Sequence, residues 1–177
     1  MKSLTRSLSL LFFFTGTAQA DGEQFMQNLK NLCGSKFEGE MTYPEDGQDD
    51  FAGKLLVATL SSCEEDEVRI PFVVGEDKSR TWIISATADG LQLKHDHRHK
   101  DGTPDKITNY GGTVHSVGTS YSQSFPADGF TARLIPEAAT NVWTLTFTKD
   151  FSELTYHLTR HDKPRFTAVL KRTATGG

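Results

Sequence analysis

The chain lacks the short motifs that mark many catalytic folds. There is no Gly-x-Ser-x-Gly elbow, phosphate-binding glycine loop, dinucleotide fingerprint or His-Glu-x-x-His pair. A Ser–His–Asp arrangement assembled from distant strands has no positive support in the sequence. Cysteine is confined to Cys33 and Cys63, at a spacing that excludes a C-x-x-C redox motif. The acidic run Asp46-Gly47-Gln48-Asp49-Asp50 lacks the ligand order of a calcium-binding EF-hand loop. Basic residues are outnumbered, 19 against 23 acidic. That balance argues against a general nucleic-acid or anionic-membrane binder, which needs a basic face to neutralise phosphates. No internal repeat, low-complexity linker or shift in composition marks a second domain.

What is present begins with an export signal. Lys2 and Arg6 form a positive n-region, Leu8 to Phe14 an apolar core too short to span a bilayer, and Ala18-Gln19-Ala20 a cleavage site. Residues 1–20 are therefore read as a signal peptide and residues 21–177 as a single β-barrel domain in the periplasm or outside the cell. No cysteine directly follows the cut, which argues against a lipid anchor, and no later stretch is apolar enough for a membrane span. Removing the signal takes two basic residues and no acidic one, leaving 17 basic against 23 acidic. Export favours a Cys33–Cys63 disulfide, which would contribute on the order of 3 kcal/mol by closing its loop. Two buried or reactive thiols are the alternative.

Period-two alternation dominates the rest. Glu23–Leu32 reads as a helix, with Phe25, Leu29 and Leu32 on one stripe and Gly34 just beyond as a stop. Strands are expected over Lys36–Tyr43, Lys54–Ser62, Glu67–Val74, Thr81–Thr87 and from Leu91 onward. Pro71 suggests an edge or a bulge, and Asp89-Gly90 a tight turn. Weaker strands fit Thr113–Val117, Ser120–Phe125 and Thr131–Ile135; stronger ones fit Asn141–Thr148, Glu153–Arg160 and Arg165–Lys171. Such a series predicts an all-β, antiparallel up-and-down meander closing into a barrel, with a β-sandwich as the alternative.

The opening Cys33-Gly34-x-x-Phe37-x-Gly39, after a short helix and before this meander, resembles the lipocalin-like (calycin) group. Phe37 stands where that group usually has Trp, at a different spacing from the glycine. The resemblance implies a barrel able to hold one small ligand. The segments His95-Asp96-His97-Arg98-His99 and Asp101-Gly102-Thr103-Pro104-Asp105 are similar to those of exported bacterial β-barrel proteins, a similarity that implies no activity.

The histidine segment is the strongest chemical signal. If Leu91 and Leu93 point inward, alternation puts His95, His97 and His99 on the same face. Two imidazoles at i and i+2 can share an ion, so zinc or another transition metal is the cofactor to consider. His95, His97, His99 and His115 are the metal candidates, with His157, Asp101 or Asp105 as supplements. The competing reading is a strand that passes from barrel interior to solvent at the rim, its histidines solvated or bonded to Asp96, Asp101 and Asp105. Arg80, beside an aromatic strand, could face a ligand carboxylate or phosphate, although an Arg so placed more often pairs with Glu76 or Asp77. Tyr110-Gly111-Gly112 reads as a flexible hairpin turn, or else as a point of close backbone approach to a ligand.

Three functions remain. The first is a module binding a small, partly apolar ligand through Arg80, Trp82, His95, His97, His99, Trp143 and Tyr156, with Phe147 as further lining. Against it stands a core in which these aromatics only fill space. The second is a metal-dependent hydrolase or lyase using His95, His97 and His99. The third is an interaction protein of the envelope. No feature of the sequence specifies an oligomeric state.

Overall fold

The computed structural model describes residues 16–44, 49–114 and 118–173. A helix, α1 (Gly16–Asn31), leads into β1 (Lys36–Tyr43), β2 (Leu56–Thr59), β3 (Ser62–Cys63), β4 (Glu67–Val74), β5 (Asp77–Thr87), β6 (Gly90–His97) and β7 (Tyr110–Thr113). Then come β8 (Ser122–Pro126), a short helix α2 (Gly129–Leu134), a 3-10 turn (Pro136–Ala138), β9 (Asn141–Phe147), β10 (Glu153–Arg160) and β11 (Lys163–Arg172). The strands form one antiparallel sheet in the order β7-β6-β5-β4-β2-β1-β11-β10-β9-β8, with β3 also paired to β4. The two ends of this path are β7 and β8, and they meet through the isolated bridge Gly112↔Ala127. The result is an all-β, nearly closed up-and-down barrel whose first and last strands pair directly.

Alternation explains which residues face inward. On β9 every second residue from Asn141 to Phe147 is buried, and β4 buries Val68, Ile70, Phe72 and Val74. The apolar ones among these side chains join one hydrophobic cluster with those of β1, β2, β5, β6, β10 and β11. Pro71 lies inside the sheet, opposite Thr81 on β5. On its other side it falls where the β2 pairing ends at Phe72 and the β3 pairing begins at Arg69. The missing N–H thus sits at a break in the ladder. That break also divides the expected Lys54–Ser62 strand in two.

The helix α1 covers the predicted Glu23–Leu32 stretch except its last residue and starts earlier, at Gly16. Phe25, Met26 and Leu29 are buried. The helix packs on β4, β6 and β8. Phe25 meets Phe147 at 6.2 Å between ring centroids, and Asn28 donates to the Ser120 carbonyl at 2.8 Å. One end of the barrel is therefore covered. Cys33, just past the helix, is bridged to Cys63 on β3. Among the described residues no helix is long and apolar enough to cross a membrane. Residues 1–15, which hold most of the expected signal, lie outside the described residues.

Two local expectations are corrected. Thr131–Ile135 is helical in its first four residues, not a strand. The Asp128 carboxylate caps α2 by accepting from the Thr131 N–H at 2.8 Å, and that local bond favours the helical turn. Tyr110-Gly111-Gly112 is strand, not a hairpin turn. A Cβ on Gly111 would lie 1.9 Å from the Leu93 oxygen, and one on Gly112 1.8 Å from the Pro126 oxygen. The glycines permit close backbone approach, but to neighbouring strands. The buried Thr131 hydroxyl then donates to the Gly111 carbonyl and accepts from the Gly111 N–H, both at 2.7 Å. In this way α2 fastens the seam where strand pairing is thinnest.

Candidate functional site

The end of the barrel away from α1 gathers polar side chains on the inner face. β5 and β6 pair with Trp82 opposite His95 and Arg80 opposite His97. Leu91, Leu93 and His95 are buried in succession, so the expected inward alternation holds to that point. His97, the last residue of β6, is half-buried. His99 lies past the strand end, with its side chain 57% exposed and Nδ1 3.9 Å from the Asp105 carboxylate.

His95 has both ring nitrogens engaged. Nδ1 is 3.2 Å from the Tyr110 carbonyl oxygen, and Nε2 is 2.9 Å from the Tyr156 hydroxyl. A carbonyl can only accept, so Nδ1 carries the proton. Burial pushes the imidazole down from 6.5 to about 3, so the ring is neutral at pH 7. Nε2 is then a lone pair, and the Tyr156 hydroxyl donates to it. The ring also stacks on Tyr110 at 4.7 Å and leans on Trp143 at 5.2 Å. The tautomer and orientation of His95 are therefore fixed by its neighbours.

Tyr110 extends the array outward. Its hydroxyl lies 3.1 Å from His97 Nε2. Burial raises the Tyr110 phenol to about 12 against a lowering by Arg80, so it stays protonated at neutral pH. Burial lowers the His97 pKa, and Arg80 lowers it further, while Asp105, Asp77 and Asp96 oppose both effects. Arg80 pairs with Asp77, as its surroundings in the sequence suggested, and its guanidinium lies 5.1 Å from the Phe51 ring centroid. Phe51 in turn touches Phe166 and Phe72. Beneath this group, Phe72, Trp82 and Tyr156 form a continuous stack, at 4.3 and 4.5 Å between neighbouring centroids.

The structure thus brings together Arg80, Trp82, His95, His97, Trp143 and Tyr156 and leaves His99 at the rim. Trp82, Trp143 and Tyr156 are 1, 2 and 7% exposed and pack on other rings, so they form a filled floor under the mouth. Phe147 lies at the opposite end, against Phe25 and Phe37. Tyr110, Phe51 and Phe72 also belong to the mouth, although the sequence points there only through the backbone of the Tyr110-Gly111-Gly112 run. Tyr110 stands on a four-residue strand before two glycines, and Phe51 is a lone aromatic after an acidic turn, so neither carries a periodic signal.

The proposed metal ligands are not gathered into one set. Among the described residues no group of three or more His, Cys, Asp or Glu side chains is placed to hold an ion. His157 bonds the Thr167 hydroxyl at 2.7 Å. Asp101 is occupied by the N–H and hydroxyl of Thr103, and Asp105 by the Ile107 N–H. His115 lies outside the described residues. The loop after β6 is held down by other contacts. Asp96 binds Arg98 and the Thr108 hydroxyl, and the Thr108 hydroxyl accepts from the His97 N–H.

No protein-family model matches the chain, and no curated protein matches it. Among solved structures, the chain is similar to a mutant of the fluorescent protein UnaG, over 86% of this chain and 89% of that one. The TM-score is 0.40 and the identity 12%, a likeness too distant to carry function.

Proposed function

We propose that this chain is an exported β-barrel that binds a small, partly apolar ligand with an acidic group at the mouth opposite α1. The observation that carries the reading is the convergence of Arg80, His97 and Tyr110 on the inner face above an aromatic floor. Arg80 commits one of its nitrogens to Asp77 and has others to offer a carboxylate. Phe51 and the floor rings supply apolar surface around it. Export is supported by the Cys33–Cys63 bridge, which an oxidising compartment preserves, and by the leader-like residues 1–20.

Native mass spectrometry of the protein purified from the periplasmic or secreted fraction tests this directly. The expected result is a small organic adduct, lost in Arg80→Ala, whose acidic form also raises the melting temperature of the purified protein. A bare mass, with no thermal shift across a panel of aromatic and aliphatic carboxylates, would overturn the reading.

A further inference from the structure

A second guanidinium reaches the inner face at the mouth. Asn141, Trp143 and Leu145 alternate inward along β9, and Arg160 is registered opposite Asn141 on β10. The Arg160 Nε–H donates to Asn141 Oδ1 at 2.8 Å. A guanidinium can only donate, so this bond also fixes which end of the amide is which. Asn141 is 4% exposed, and its other end, Nδ2, has no partner among the described residues. That nitrogen is not sealed off either: the enclosed side-chain atom left without a partner is Gln123 Oε1. The amide therefore opens onto the inner face.

The terminal nitrogens of Arg160 are also uncommitted. Among the described residues no carboxylate forms an ion pair with Arg160. The acids nearest to it or to Asn141 in the chain, Asp162 and Glu137, are exposed. Other acids at this end of the barrel are engaged elsewhere. Asp77 is bound by Arg80 and the Ser79 N–H, Asp49 by Arg165 and the Phe51 N–H, and Asp105 by the Ile107 N–H. Arg80 thus has an acidic partner, whereas Arg160 has a neutral one. A half-buried cation and a buried amide, both presenting donors, stand together with no acceptor opposite them. Such donors are costly to withdraw from water unless an acceptor meets them. A carboxylate group supplies several acceptor sites and the opposite charge.

This donor pair and Arg80 stand on opposite walls of one mouth. Between β5 and β10 the sheet runs through β4, β2, β1 and β11. Arg80 is one inward position beyond Trp82, and Asn141 one inward position beyond Trp143. The two tryptophans belong to the same floor: Trp82 stacks on Tyr156, Tyr156 donates to His95, and His95 leans on Trp143. We infer that the mouth takes a ligand with two acidic groups on an apolar body, one held by Arg80 and the other by Arg160 and Asn141. This inference rests on the mouth reading above and adds the second group.

Calorimetric titration of the intact protein at neutral pH tests it. The probes are straight-chain α,ω-dicarboxylates, from adipate to hexadecanedioate, and the monocarboxylates of matched length. At one length the dicarboxylate should bind about tenfold tighter than its monocarboxylate, or more. The length at which the gain peaks reports the separation of the two walls. Arg160→Gln should bring that dicarboxylate down to the affinity of the monocarboxylate. Asn141→Asp, which sets a carboxylate against Arg160, should do the same, and melting curves show that each variant is folded. Monocarboxylate binding with no dicarboxylate gain at any length would overturn the inference and leave the mouth reading standing, as would a gain that survives both substitutions. Binding of neither series would overturn both.

Discussion

At the end of the barrel covered by α1, Phe25, Leu29, Phe37 and Phe147 are each under 5% exposed and bring no polar side-chain atom. At the other end the same inner face carries Arg80, His95, His97, Tyr110 and Tyr156. Both ends are built from the same alternating strands, so the fold does not require the difference. The covered end shows what this barrel does when stability alone is served: rings close on rings, and a helix and a disulfide secure them. The mouth keeps titratable and charged groups part-way out of water, a cost that calls for another reason.

Deleting a ring at the covered end should have the largest effect. Phe25→Ala removes a fully buried ring that meets Phe147 and should cost about 4 kcal/mol of unfolding free energy in a denaturant titration. A loss under about 1 kcal/mol would mean that α1 is not part of the cooperative core.

The second effect is a pH dependence that belongs to the mouth. Burial lowers His95 from 6.5 to about 3, so between those values the unfolded chain takes up a proton that the native protein refuses. Stability from this group is nearly full above pH 6.5 and falls as the pH drops, by up to about 1.4 kcal/mol per unit, or about 2.5 kcal/mol between pH 6 and 4. The lowered pKa of His97 acts in the same direction. Asp77 and Asp150, both held at about 2, contribute mainly below this window. Urea titrations from pH 7 to 4 should show the slope, and His95→Gln should flatten most of it. An unchanged slope in His95→Gln would show that His95 is not held neutral.

How much of this contrast was legible in the sequence depends on how each residue is specified. Val68, Ile70, Phe72 and Val74 alternate without interruption, so β4 could be read to the residue. The same rule placed His95 inside and gathered Trp82, Trp143 and Tyr156, because all lie on long strands. It failed at Thr131, where one capping bond from Asp128 overrides a weak strand pattern. It failed again at Gly111 and Gly112, whose reason is the nearness of the Leu93 and Pro126 carbonyls. Period two also cannot say where a strand ends. His99 therefore fell on the same face as His95 by count, yet lies beyond β6, exposed beside Asp105. The two buried bonds of His95 join residues 61 and 15 positions apart, a relation no local pattern carries.

The smallest expected change in stability sharpens the comparison most. The pair of Arg80 with Asp77 is partly exposed on both sides, 24% and 47%, so solvent screens it. Arg80→Ala should therefore cost less than about 1 kcal/mol in denaturant, including the contact with Phe51. If the mouth is a binding site, the same substitution abolishes the adduct and the ligand-dependent thermal shift while the fold survives. Loss of binding with stability kept would separate the two ends by function: Phe25 holds the barrel together, and Arg80 is retained for what the barrel holds. A loss of several kcal/mol on Arg80→Ala would instead make the mouth a second structural anchor, with Arg80 seating the Phe51 loop over the aromatic floor.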